Sequence, residues 1–160
     1  MAIKFLKKPL LILIFFYVNT ASTQVIDKKK ILNLNISSFD VVEKDLKFSE
    51  EIPTDFKNLT KLWFDEKVKV NGFEGKITIY IDEYSENIST IDDGKRIDIS
   101  INFNAEISKL NNKKINKAKG NVSSFGTMVG DFSLNEFDVL ISNTQSELIV
   151  ILSKKLETFF

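Results

Sequence analysis

From Arg96 to Ile107 the chain alternates without a break. Ile97, Ile99, Ile101, Phe103, Ala105 and Ile107 take one parity, while Arg96, Asp98, Ser100, Asn102, Asn104 and Glu106 take the other. Successive side chains of a strand point to opposite faces. This segment is therefore a strand with one dry side and one wet side, which points to an antiparallel sheet. The dry side must be covered by a second layer of structure.

The remaining pattern supplies that layer. Leu32, Leu34 and Ile36 alternate with Asn33, Asn35 and Ser37 as a first strand, which Phe39, Val41 and Val42 extend after a kink. The mixed-charge stretch from Glu43 to Glu51 reads as a loop. A helix is predicted from about Pro53 to Val70, with Ile52, Phe56, Leu59, Trp63 and Val70 on one stripe and Asn71-Gly72 as its left-handed stop. Trp63, on that stripe, is expected in the core. Ile77, Ile79 and Ile81 form a second alternating strand. Asp92-Asp93-Gly94 then reads as a hairpin turn; it lacks the alternating oxygen ligands and distal Glu of a calcium loop. After a turn at Asn111-Asn112-Lys113-Lys114, Ile115 to Phe125 reads as a returning edge strand guarded by lysines. Ser123-Ser124-Phe125-Gly126 and Gly130 read as the connection to a final helix, Leu134 to about Leu156. Ser133 and Glu136 fit a capping box for that helix, and Phe159-Phe160 are expected to fold back onto the sheet. The order is strand, helix, three strands, helix. The expected fold is α+β, a mostly antiparallel sheet with two helices on one face, in a single domain from 31 to 160.

The N-terminus predicts where the domain works. Lys4, Lys7 and Lys8 precede the apolar run Leu10 to Val18, and small polar residues follow. This is the layout of a secretory signal peptide over 1–22, with cleavage after Ala21 or Ser22. The apolar run is too short to span a bilayer, which takes about 20 residues. A polar lead-in over 23–30 follows.

Composition removes whole classes of chemistry. The chain has no histidine and no cysteine, which excludes Ser-His-Asp and Cys-His catalysis and zinc sites built on thiolate or imidazole. No cofactor and no metal site is expected. Acidic and basic residues balance at 22 each, and removing the leader's lysines tips the balance to the acidic side. That argues against nucleic acid, which selects clustered positive charge. Asp82, Glu83 and Glu86 form the acidic cluster that a carboxylate hydrolase would need, although a solvated strand end explains them as well. Arg96 is the lone arginine.

The helix bearing Trp63, the turn marked by Gly72 and Gly75, the strand ending near Asp82 and the later Gly94-Lys95-Arg96-Ile97-Asp98 strand resemble small Gram-negative envelope lipoproteins. The order of elements also resembles the LPS-assembly lipoprotein LptE, a family in which a small α+β protein plugs the barrel that inserts lipopolysaccharide. The resemblance covers about Asp55 to Leu156, and the lipid-accepting cysteine of those proteins has no counterpart here. It implies a location and a role class, with no catalytic residue to carry over. The resulting expectation is a periplasmic, non-enzymatic binding or assembly protein of the cell envelope. Arg96 and Asp98 are its candidate partner contacts, and an envelope membrane protein, lipid or lipopolysaccharide its partner. A secreted hydrolase using carboxylates or lysine, and a secreted inhibitor or adhesin-like module, are the alternatives.

Overall fold

A computed structural model describes residues 37–108 and 114–160. The leader, the lead-in, the Leu32–Ile36 alternation and the turn at Asn111-Asn112-Lys113 lie outside the described residues. The fold is α+β, and its elements in chain order are β1 (Ser37–Phe39), β2 (Glu43–Phe48), α1 (Thr54–Lys67), β3 (Val68–Val70), β4 (Lys76–Ile91), β5 (Gly94–Ser108), β6 (Lys114–Val129) and α2 (Leu134–Phe159). The main sheet has the order β2-β4-β5-β6, and β1 and β3 form a small parallel pair beside it. β4, β5 and β6 run antiparallel through long registers, and β2 lies parallel to β4.

The predicted alternation is the core of the molecule. Ile77, Ile79 and Ile81 on β4 and Ile97, Ile99, Ile101 and Phe103 on β5 are all fully or almost fully buried. Above them lie Phe56, Trp63 and Phe64 from α1 and Leu148, Ile149, Leu152 and Leu156 from α2. Trp63 is 0% exposed, as its place on the apolar stripe requires. Its indole N–H has no hydrogen-bond partner, so its contribution is bulk. The predicted start of α2 holds, while its C-terminal end runs three residues past the expected Leu156 and takes Phe159 into the helix. Ser133 Oγ accepts from Glu136 N at 3.2 Å, and Ser133 N donates to Glu136 Oε2 at 2.7 Å. At the other end Phe159 meets Phe103 and Phe160 meets Phe39 edge-on, with ring centroids 6.4 and 5.9 Å apart.

Three expectations fail, each for a local reason. The supposed loop from Glu43 contains β2. Its inward positions are Lys44, Leu46 and Phe48, in register with Ile77, Ile79 and Ile81. A lysine at the first inward position hides the period. The Lys44 stem crosses the core edge, and its ammonium donates to the carbonyls of Phe64 (2.7 Å), Asp65 (3.2 Å) and Val68 (2.7 Å). It thus ties the end of α1 to the start of β3, sharing the Phe64 carbonyl with the Val68 N–H that caps the helix, and burial pulls its pKa below the ordinary lysine value.

The second failure follows from the first. α1 stops at Lys67, and Val68–Val70 becomes β3. The alternating Val68-Lys69-Val70 suits a strand better than a helix, and it pairs with Ser37–Phe39. Gly72 is accordingly no helix stop. It lies against the backbone of Asp40 and Val41, where a Cβ would come within 2.5 Å, and the positive φ in this turn belongs to Gly75.

The third concerns Ser123 to Gly126, which belongs to β6 and is no loose connection. α2 passes so close above Gly126 that a Cβ there would lie 2.5 Å from Thr144 Oγ1 and 2.7 Å from Leu140 Cδ1. The small residues of this stretch are what let helix and strand approach.

Two substitutions test this account. Trp63→Ala should lower the unfolding free energy by about 3–5 kcal/mol, the range for emptying a large aromatic site, measured by urea denaturation. Lys44→Met keeps the stem and removes the donors, and should cost about 1–3 kcal/mol for the lost charge-assisted hydrogen bonds. Its loss of amide protection in hydrogen exchange should concentrate at the C-terminal turn of α1.

Candidate functional site

The helices cover one side of the sheet. The other side carries the polar parity of the alternation, and the register sorts it into rows that cross β4, β5 and β6. Ser89, Arg96 and Thr127 form one row, Asn87, Asp98 and Phe125 the next, then Ser85, Ser100 and Ser123, then Glu83, Asn102 and Asn121.

Arg96 and Asp98, two apart on β5, project together. The guanidinium grips the carboxylate through Nε (3.0 and 2.9 Å to the two oxygens) and Nη2 (2.7 Å to Oδ1). The same guanidinium lies over the ring of Phe125, 4.2 Å from its centroid. Cation–π attraction and the ionic fork therefore fix one geometry. Phe125 remains 61% exposed. The Arg96 hydrogen bonds hold the Asp98 carboxyl below its ordinary pKa, and Asp98 raises that of Arg96 in turn. Beside this cluster a hollow of about 330 Å³ opens over Ser85, Asn87, Ser100 and Ser123.

The acidic cluster does not converge. A bulge between Ile81 and Glu83 shifts the register of β4. Asp82 accepts from Asn104 Nδ2 at 2.8 Å, and Glu83 accepts from Asn102 Nδ2. Glu86 sits opposite Ile99, a residue of the core-facing parity, and accepts from the Tyr84 hydroxyl at 2.6 Å. Tyr84 accepts in turn from Gln145 Nε2 on α2 at 3.0 Å. Burial first, and then the bond to Glu86, push its phenol well above its ordinary pKa. The bulge thus puts Asp82 and Glu83 with the wet-face asparagines and Glu86 with a network reaching under α2, so the three carboxylates do not address a common point. Among the described residues no group of three or more acidic side chains is placed to hold a metal ion. A second hollow of about 320 Å³ lies between the helices, lined by Asp55, Asn58, Leu59, Leu62, Ser142 and Gln145.

Reading β5 alone brings out Arg96 and Asp98. Phe125 and the serine row escape it, because a strand pattern places residues on a face without giving their cross-strand neighbours. The signal for Phe125 is an aromatic on the polar parity of β6, opposite Asp98.

No protein-family model matches the chain, and no curated protein matches it either. Solved structures do resemble it. A minor lipoprotein from Acinetobacter baumannii is 13% identical over 74% of this chain and 90% of its own, with a TM-score of 0.45. The rare lipoprotein B from Shewanella oneidensis is 14% identical over 73% of this chain and 96% of its own, with a TM-score of 0.48. A neuraminyllactose-binding hemagglutinin homolog from Helicobacter pylori is 8% identical over 77% and 89%, with a TM-score of 0.33. These are likenesses of outline at low identity, and they assign no role to any residue here. Among the described residues no helix is long and apolar enough to cross a membrane.

The Arg96–Asp98 fork has a measurable sign. The Asp98 pKa is depressed in the folded state, so its contribution is present above the ordinary aspartate value and is lost as pH falls through the lowered one. In a carbon-detected NMR titration Asp98 should titrate below 3.8, its ordinary value, and Arg96→Gln should move it back up.

Proposed function

We propose that this chain is an exported, non-enzymatic binding protein of the bacterial cell envelope, and that it supports outer-membrane or lipopolysaccharide assembly by contact through its open sheet face. The observation that carries the reading is that face itself. A rigid sheet, backed by two helices and a dry isoleucine layer, presents an ordered polar surface with a pre-set Arg96–Asp98–Phe125 cluster near one end. Rigid presentation favours binding, because little side-chain freedom is lost when the partner arrives.

The carboxylates are arranged in keeping with this role. Asp82, Glu83 and Glu86 are each engaged by an amide or a phenol, whereas a glycoside-cleaving pair must flank one bond at a set separation. The leader over 1–22 supplies the route to the envelope, and an envelope membrane protein, lipid or lipopolysaccharide is the partner the reading calls for.

Fractionation with N-terminal sequencing tests the compartment. The mature protein should begin after Ala21 or Ser22 and be recovered from the periplasm or its bounding membranes. A photoreactive side chain at Asn87, beside Asp98, should capture an envelope component in intact cells, and deletion of the protein should raise detergent sensitivity. A product beginning at Met1 and retained in the cytoplasm would overturn the reading, as would empty crosslinks with unchanged detergent sensitivity.

A further inference from the structure

We propose that the open sheet face binds a neutral oligosaccharide, laid across the strands along the row Ser85, Ser100 and Ser123. The inference rests on the reading of this face as a contact surface and deepens it by naming the class of ligand.

Spacing is the first argument. The register sets these serines side by side on three adjacent strands. Neighbouring strands lie about 4.8 Å apart, so the row offers one hydroxyl per strand spacing, about the advance of one hexopyranose unit along a glycan. None of the three hydroxyls is engaged in a side-chain hydrogen bond within the described residues. A serine hydroxyl both donates and accepts, which is the capacity that sugar hydroxyls match. Serines are also short, so the row lies lower than the rows on either side. Asp98 and Phe125 wall it on one side, and Asn102 and Asn121, joined by a 2.9 Å hydrogen bond from Asn121 Nδ2 to Asn102 Oδ1, wall it on the other.

The walls supply the rest of the chemistry. Phe125 is an exposed ring standing at the hollow, the kind of apolar surface on which the C–H face of a sugar stacks. Its orientation is set in advance by Arg96, itself held by Asp98, so binding costs little ordering. Charge decides between sugar classes. The guanidinium is answered by the Asp98 carboxylate at 2.7 Å, and Glu83 stands in the Asn102 row. The hollow therefore has no unanswered positive charge to offer a uronate, sulfate or phosphate group, and an uncharged chain suits it best. The volume of about 330 Å³ sits at the small end of the roughly 300–1,000 Å³ typical of ligand sites, enough for a short saccharide segment.

The test is an amide NMR titration of the ¹⁵N-labelled protein with maltotriose, cellotriose and chitotriose, and with trigalacturonate as the acidic control. At least one neutral trimer should give saturable shifts centred on Ser85, Asn87, Ser100, Ser123 and Phe125. Phe125→Ala, which removes an exposed ring, should weaken that binding by roughly tenfold or more while the rest of the spectrum stays in place. Ser100→Val, which keeps a strand-favouring residue and fills the trough, should do the same. Four results would overturn the inference: no saturable shift with any neutral trimer, shifts centred elsewhere, binding unchanged in Phe125→Ala, or tighter binding of trigalacturonate. If Ser100→Val does not fold, Phe125→Ala decides alone. Silent trimers with persisting crosslinks from Asn87 would remove the sugar and leave the contact reading standing, whereas loss of those crosslinks strikes the reading itself.

Discussion

The structure depends on the dry isoleucine layer shared by β4 and β5. Ile77, Ile79, Ile81, Ile97, Ile99 and Ile101 occupy one parity of two hydrogen-bonded strands and are excluded from water. Burying one such side chain is worth about 1.5–3 kcal/mol relative to leaving it exposed. A one-residue slip would therefore put several of them into solvent at once and bring Asn102 and Asn104 inside. The same layer fixes both faces of the molecule. It gives α1 and α2 a surface to cover, and by parity it commits Arg96, Asp98, Ser100 and Asn102 to the open side. The open face is thus the complement of the core, set by the same residues that make the protein fold.

How α2 meets this layer shows how small residues act at a distance from the core. Thr144, Gln145, Ser146 and Ser153 are buried on a helix otherwise built on Leu and Ile. Thr144 and Ser146 return their hydroxyls to the carbonyls of Leu140 and Ser142, and Gln145 reaches Tyr84. Ser153 meets the Ser37 hydroxyl at 3.2 Å, so these buried polar groups have partners either within the helix or on the strands beneath it. The helix can therefore settle close to Gly126. β6 is thereby clamped between β5 and α2, and Phe125, one residue away on the opposite face, is held in a fixed position. The geometry of the open face is in this sense set from behind.

Much of this was legible in the sequence. The alternation at Ile97–Ile107, the hairpin at Asp92-Asp93, the box at Ser133 and Glu136, and the burial of Trp63 all follow from local rules, and the structure agrees on each. What was not legible depended on long-range partners. Lys44 reads as a loop residue until the end of α1 is beside it with carbonyls to accept its protons. Val68–Val70 reads as the last turn of a helix until Ser37–Phe39 offers a ladder. Ser123–Gly126 reads as a linker until α2 passes overhead. For the candidate site, the sequence exposed Arg96 and Asp98 and hid Phe125 and the serine row, since register across three strands is a tertiary property. The bulge after Ile81 had no sequence signature, yet it is what separates Glu86 from Asp82 and Glu83.

The parallel attachment of β2 has a consequence for how the molecule assembles itself. β4, β5 and β6 are joined by short reversals and can find one another early, because closing a small loop costs little entropy. β2 can reach β4 only across the whole of α1, a crossover that parallel neighbours require. Its docking, with Lys44 at the helix end behind it, closes a longer loop than the β4–β5 hairpin does and so costs more chain entropy. β2 is what covers the flank of β4 along Lys76–Ile81, and without it that flank would be an open sheet edge of the kind on which foreign strands pair.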